Sequence, residues 1–274
     1  MALQSSGAIS LSEIAAEFGG STPHSMSEYR GSGGTPATGA ISFSDFYDTS
    51  SGPPSSGLIM HMEPSAYSSG PPPSSTWNDS AGTNNQMTKV GSPTYTSSSP
   101  EYFTTSNNNH WQVTTRPTGS YSSATFIAWV YRSATKTQGI FDIRYGNGTQ
   151  FGMEVGYDGE EFGYFWNNNN SGTYTYQTNL DTPLNAWTMV GVGVDSSSAK
   201  FFMRTSSAES IDTRTYTHSA QTIGSTSTIY YGGDPESSSR GWVGRLGHFY
   251  MYDRKISTSE FQTIYNLQSS YYGH

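Results

Sequence analysis

The chain of 274 residues contains no cysteine. That absence removes disulfides, thiolate nucleophiles and thiol-held metal sites together, and it leaves the compartment open, because a disulfide-free protein works inside or outside a cell. Charge is scarce too: Asp, Glu, Lys and Arg make up 12% of the residues, against about 25% in an ordinary soluble protein. The balance is acidic, with a net charge of -8 and a pI near 5.1. No basic surface is available to track phosphates, so no nucleic-acid partner is expected. No apolar run approaches the roughly 18 residues that a membrane helix needs. The opening Met1-Ala-Leu-Gln-Ser-Ser6 lacks the basic and apolar regions of a signal peptide. Neither membrane insertion nor secretion through a signal peptide is expected.

What is present is aromatic and polar without charge: Phe, Trp and Tyr reach 14%, with 20 Tyr, among abundant Ser, Thr, Asn and Gly. Such a surface suits sugars and assembly contacts. Near the start stand two similar blocks, Gly7-Ala-Ile-Ser-Leu-Ser-Glu-Ile14 and Gly39-Ala-Ile-Ser-Phe-Ser-Asp-Phe46. Each writes out a helix start, with a cap Ser (Ser10, Ser42), an acid three residues on (Glu13, Asp45) and an apolar pair (Ile9 with Ile14, Ile41 with Phe46). Gly19-Gly20 stops the first helix and Thr49-Ser-Ser-Gly-Pro-Pro54 the second. Two helices this short cannot build a core, so the segment is expected to order against a partner or its own copies. The expected organisation is a module at 1–50, a linker at 51–56 and a domain at 57–274.

From Gly57 on, short apolar runs alternate with polar turns, the pattern of an all-β sandwich or barrel. Ala124–Tyr131 is apolar on both faces and reads as a covered strand. Residues 151–166 read as a hairpin turning at Asp158-Gly159, residues 187–204 as a second hairpin, and 241–252 as a long strand punctuated by glycine. A third helix start, Ile256-Ser-Thr-Ser-Glu-Phe261, precedes a short helix whose Phe261, Ile264 and Tyr265 form one apolar face.

Four stretches in order carry a family resemblance. They are Gly57-Leu-Ile-Met-His-Met-Glu63 with Tyr67 and Trp77-Asn-Asp-Ser-Ala-Gly82, then Phe126-Ile-Ala-Trp-Val130, then Trp187-Thr-Met-Val-Gly-Val-Gly-Val-Asp195, and finally Trp242–Phe261. Together they resemble the concanavalin A-like lectin/glucanase superfamily in its laminin-G-like branch. The resemblance implies a mainly β fold, a two-sheet antiparallel jelly-roll sandwich with a short C-terminal helix. The first 50 residues resemble a module recurrent at the start of virion structural proteins of tailed bacteriophages, including those of cyanobacteria. That resemblance implies a protein assembled in the host cytoplasm onto a virion, in several copies, with the sandwich facing outward. Ile9, Leu11, Ile14, Phe18, Ile41, Phe43 and Phe46 are then the residues expected to dock on other virion proteins.

The glucanase branch places its catalytic carboxylates in an E-x-D-x-x-E pattern. Glu154, Asp158, Glu160 and Glu161 do not reproduce it, and solvated hairpin carboxylates explain them, so no enzyme is expected. Laminin-G-like domains often hold Ca2+ through loop oxygens, and Asp79, Asp181, Asp195 and Asp234 sit in turns. Turn-forming hydrogen bonds account for each of them without a metal, and no ligand set is assigned. The six His, at 24, 61, 110, 218, 248 and 274, show no metal spacing, so zinc is not expected.

The candidate glycan-binding cluster is Tyr157, Asp158, Trp166, Asn167, Asn168, Asn169, Asn170, Tyr174 and Tyr176, where amides match hydroxyls and ring faces stack on sugar C–H surfaces. The same run also suits a subunit contact or a plain loop. Adsorption to host-surface polysaccharide from a tail fibre or tail tip is the leading expectation. The alternative is a capsid decoration or connector protein with a purely structural role.

Overall fold

The computed structural model describes residues 3–4, 6–20, 22–36, 38–47, 52–69, 75–145, 148–155, 161–166, 180–234 and 238–274. Contacts divide the chain into two compact units, Met1–Ser56 together with Ile256–His274, and Gly57–Lys255. The C-terminal helix therefore groups with the N-terminal residues, whereas the sequence alone assigns it to 57–274.

In the first unit Ser10 caps helix α1 (Leu11–Phe18). The Glu13 N–H donates to Ser10 Oγ at 3.3 Å, and the Ser10 N–H donates to Glu13 Oε2 at 2.7 Å. The second block makes the same return contact, Ser42 N–H to Asp45 Oδ2 at 2.6 Å, but it opens only one 3-10 turn, Phe43–Phe46. The difference follows from what comes next: Ala15-Ala16-Glu17 are good helix formers, while Tyr47-Asp48-Thr49-Ser50 are poor ones. The third start caps the helix Thr258–Gln268, hereafter α2, with Ser257 N–H to Glu260 Oε2 at 2.8 Å.

A fourth start, Ser25-Met-Ser-Glu28, opens the 3-10 turn Met26–Tyr29, where Glu28 instead approaches His24 at 3.4 Å. In all four the residue after the acid is buried: Ile14, Tyr29, Phe46 and Phe261. This is the position that a hydrophobic staple turns inward. Ile14, Tyr29 and Phe46 form one apolar cluster, with Ile9, Leu11, Phe18 and Ile41 packed on it. Tyr29 meets Phe46 edge-on, ring centroids 6.3 Å apart at 87°. The N-terminal segment thus gathers a small apolar cluster of its own, although its two helix starts are short.

The second unit holds β1 (Leu58–Ser69), β2 (Ser75–Asp79), β3 (Gln86–Val90), β4 (Thr94–Thr96), β5 (Tyr102–Thr105), β6 (His110–Thr115), β7 (Gly119–Tyr121), β8 (Ala124–Arg132) and β9 (Gln138–Tyr145). It continues with β10 (Gly148–Val155), β11 (Phe162–Trp166), β12 (Trp187–Val194), β13 (Ser198–Arg204), β14 (Glu209–Thr215), β15 (Gln221–Ile223), β16 (Thr228–Tyr231) and β17 (Gly244–Tyr252). Antiparallel pairing runs β11-β10-β9-β16-β6-β3-β2-β1-β17-β8-β12-β13-β14, with β5 added to β17, β4 to β5, and β7 paired to β15.

The path doubles over into two layers. Phe126 of β8 stacks on Phe151 of β10 at 5.2 Å, and Phe141 of β9 stacks on Phe249 of β17 at 4.4 Å. These strands are distant along the path, so their rings meet across a sandwich interior. The fold is the expected mainly β, antiparallel jelly-roll sandwich.

The signature stretches take the expected forms. β8 is buried on both faces. In β12, Val190, Val192 and Val194 enter the core, and a Cβ on Gly193 would stand 3.1 Å from both Thr125 Oγ1 and Lys255 Cγ. The Trp77-x-Asp79-x-x-Gly82 turn is held by Asp79 Oδ1, which accepts the N–H groups of His61 and Ala81 at 2.8 Å each. Trp77 packs with Phe103 and Trp111, centroids 4.5 and 5.3 Å away.

Candidate functional site

In an antiparallel ladder directly opposed residues share a face of the sheet. One row of such partners runs Phe165, Gly152, Asp142, Tyr230, Gln112, Thr88, Thr76, taking one residue from each of β11, β10, β9, β16, β6, β3 and β2. Their chain neighbours, among them Tyr164, Phe151, Phe141, Tyr231, Trp111, Met87 and Trp77, fill the core, so the row lies on the outer face of this layer. It offers two rings, a carboxylate, an amide and two hydroxyls. Phe165, Tyr230, Gln112, Thr88 and Thr76 are half-buried, and Asp142 is 6% exposed. Gly152 is required between the Phe and the Asp, because a Cβ there would stand 2.6 Å from the Phe141 carbonyl oxygen. Tyr230 leans edge-on against His110 at 5.1 Å.

The glycan cluster expected from sequence fares differently. Trp166 is fully buried; its ring stacks on Phe151 at 5.0 Å and its indole N–H donates to the Ser219 carbonyl at 2.8 Å. It is a core residue and has no ring face to offer a sugar. Tyr157, Asp158, Asn167, Asn168, Asn169, Asn170, Tyr174 and Tyr176 lie outside the described residues. The hairpin register itself is as expected, with Val155 opposite Phe162 and Glu154 opposite Gly163.

Of the residues expected to dock on other virion proteins, Ile14 and Phe46 are buried in the cluster of the first unit, and Ile9, Leu11, Phe18 and Ile41 pack on it. Phe43 alone among these seven stands out into solvent, at 42% exposed.

The four turn aspartates do not come together as a metal group among the described residues. Both oxygens of Asp79 are engaged, Oδ2 by Asn85 at 3.3 Å and by Thr83. Asp195 Oδ1 accepts the N–H groups of Ser197 and Ser198 at 2.9 Å each, and Oδ2 takes the Lys255 ammonium at 2.9 Å. Desolvation opposes its charge, but the bonds from Lys255 and Ser197 prevail and hold the carboxyl well below the usual range. Asp234 lies 3.7 Å from Arg240, and Asp181 is exposed.

A different group does come together, contrary to the reading of the histidines as isolated. His61 and Glu63 alternate on one face of β1, whose register with β17 runs His61 to Tyr250 and Met62 to Phe249, and His248 is the next residue on β17. One ligand atom from each of His61, Glu63 and His248 lies within 4.8 Å of the others. His61 Nε2 is 3.3 Å from Glu63 Oε1. The His61 ring stacks on Tyr250 at 4.2 Å and lies 28° from the plane of His248. Burial lowers the His61 pKa to about 4 against the pull of the Asp79 charge. Burial, with His61 nearby, also holds His248 well below its ordinary value, and burial raises Glu63. The sequence signal for this group is the His-x-Glu spacing, which on a strand puts both side chains on one face. The partner His248 could be found only from the pairing of β1 with β17.

No curated protein matches the chain in sequence. Among solved structures, Domain 4 of AbnA, a GH43 extracellular arabinanase from Geobacillus stearothermophilus in complex with arabinotriose, superposes with a TM-score of 0.53 at 16% identity, over 77% of this chain and 98% of that one. A mutant Trypanosoma rangeli sialidase displaying trans-sialidase activity gives a TM-score of 0.55 at 15% identity, over 82% of this chain but only 35% of the sialidase. The chain thus spans about a third of the sialidase it resembles. A sequence profile of the laminin-G-like family described as the concanavalin A-like lectin/glucanases superfamily matches residues 104–262. More than half of the chain is matched, and it belongs to the concanavalin A-like lectin/glucanases superfamily, in the laminin-G-like branch.

Proposed function

We propose that this chain is a bacteriophage virion structural protein that presents its sandwich as a lectin-like domain, from a tail fibre or tail tip, to glycans of the host surface. The observation that carries the reading is the outer-face row Phe165, Gly152, Asp142, Tyr230, Gln112, Thr88, Thr76. Half-buried rings offer flat apolar faces to sugar C–H groups, the Gln112 amide and the Thr88 and Thr76 hydroxyls match sugar hydroxyls, and Gly152 leaves room beside Phe165. Two further facts support it: the family includes lectins, and the arabinanase Domain 4 of the same fold comes from a complex with arabinotriose. Residues 1–50 would join other virion proteins, and many copies would turn weak sugar contacts into firm adsorption. No reaction is part of this reading.

A second reading, a capsid decoration or connector protein, is favoured by one observation: Trp166, the described member of the loop cluster, serves the core. Two measurements separate the readings. Host lipopolysaccharide and a glycan panel are titrated against the full chain and against Tyr230→Ala. Saturable binding that the variant loses supports the lectin reading, and silence at millimolar sugar leaves the architectural one. Electron microscopy of intact particles locates the chain on tail or capsid, and a capsid-lattice position would overturn tail adsorption.

A further inference from the structure

We infer that His61, Glu63 and His248 form a binding site for one divalent d-block cation, with Zn2+ the expected occupant. The three side chains come from adjacent strands, His61 and Glu63 from one face of β1 and His248 from β17. His61 Nε2 is buried and makes no hydrogen bond, although Glu63 Oε1 stands only 3.3 Å away. A buried polar atom without a partner is costly, and a cation held between the Nε2 lone pair and the Glu63 carboxylate would satisfy both groups. Tetrahedral ligands at zinc bond lengths of about 2.0–2.1 Å stand roughly 3.4 Å apart. The His61 and Glu63 atoms already have this separation, and His248 lies within a small side-chain adjustment of it. Glu63 is 35% exposed, so an ion can enter from solvent.

The donor set selects the metal. Two imidazoles and one carboxylate suit zinc and its d-block neighbours, while Ca2+ seeks six to eight oxygens. Three protein ligands leave a fourth position for water or a ligand oxygen. Because the donors lie on the first and last strands of the sandwich, a bound ion ties its opening to its close.

The test uses the tag-free full chain, stripped with EDTA and titrated with Zn2+ by calorimetry and with Co2+ by visible absorption. One equivalent should bind, with the d–d bands of a four- or five-coordinate cobalt site and a raised unfolding temperature. Glu63→Gln should weaken binding at least ~10-fold and His248→Gln roughly 100-fold, a range that changes to the mere hydrogen-bond partners of metal ligands already reach, with folding checked by circular dichroism. Absence of saturable Zn2+ and Co2+ binding by the wild-type chain at 100 µM metal, a concentration about tenfold above a weak ~10 µM site, overturns the inference. Undiminished binding in folded Glu63→Gln overturns it as well, and this arm survives even if His248→Gln fails to fold.

Discussion

The imidazole of His61 lies nearly flat on the phenol ring of Tyr250, centroids 4.2 Å apart and planes 17° from parallel. The two residues are direct partners across β1 and β17, so the stack is a cross-strand pair in which Tyr250, 1% exposed, sets the plane of the histidine. Tyr250→Ala should lower the free energy of unfolding by about 3–5 kcal/mol, the usual cost of deleting a buried ring, as read by urea denaturation. A loss under ~1 kcal/mol would mean that the ring does not anchor this part of the sheet.

Trp166→Ala should behave as a core deletion, costing about 3–5 kcal/mol. Sugar binding measured on this variant reports folding first, so Tyr230 is the position at which recognition can be tested separately. A stability change within ~0.5 kcal/mol would contradict the packing of Trp166 against Phe151.

Four histidines are held below their ordinary pKa by burial: His61, at about 4, and His110, His218 and His248. The unfolded chain therefore takes up protons near pH 6.5 that the folded chain does not. Stability is at its full value above that pH and falls as pH drops below it, toward pH 4 for His61. Melting temperatures recorded from pH 7.5 to pH 5 in EDTA should hold level down to about pH 6.5 and decline below it. In His218→Gln, which removes the ring bonded to Tyr164 Oη and the Asp195 carbonyl at 2.8 Å each, the slope should be shallower. A flat profile in the wild-type chain would refute the burial account.

Asp195 separates turn geometry from ion pairing. Asp195→Asn keeps an oxygen for the N–H groups of Ser197 and Ser198 and loses only the charge facing Lys255, a partly exposed pair worth at most ~1 kcal/mol. Asp195→Ala also abandons two N–H groups at the β12–β13 turn and should cost about 1–3 kcal/mol. Equal losses in the two variants, measured by urea denaturation, would show that the turn bonds carry no weight.

What the sequence revealed was local. The capping boxes at Ser10, Ser42 and Ser257, the doubly covered strand β8 and the β12–β13 hairpin depend on residues within a few positions of one another, and each formed, although the Ser42 box opens a single 3-10 turn where a helix was read. Trp166 was misplaced because an asparagine run follows it, although alternation from Phe162 through Tyr164 already puts it on the core side. The fourth start, Ser25-Met-Ser-Glu28, escaped notice because His24 stands before its Ser, where the other three have Ile9, Ile41 and Ile256. The outer-face row and the His61–Glu63–His248 group were beyond reach for another reason. They exist only through the register between strands far apart in the chain, which no local pattern encodes.

The meeting of the first and last strands of the sandwich also brings its two ends together: the Asp253 N–H donates to the Gly57 carbonyl at 2.9 Å. The second unit behaves as an insertion that enters and leaves through one doorway. Its interior can gain a loop or exchange a strand while the doorway stays the same width, so the residues before and after it need not register the change.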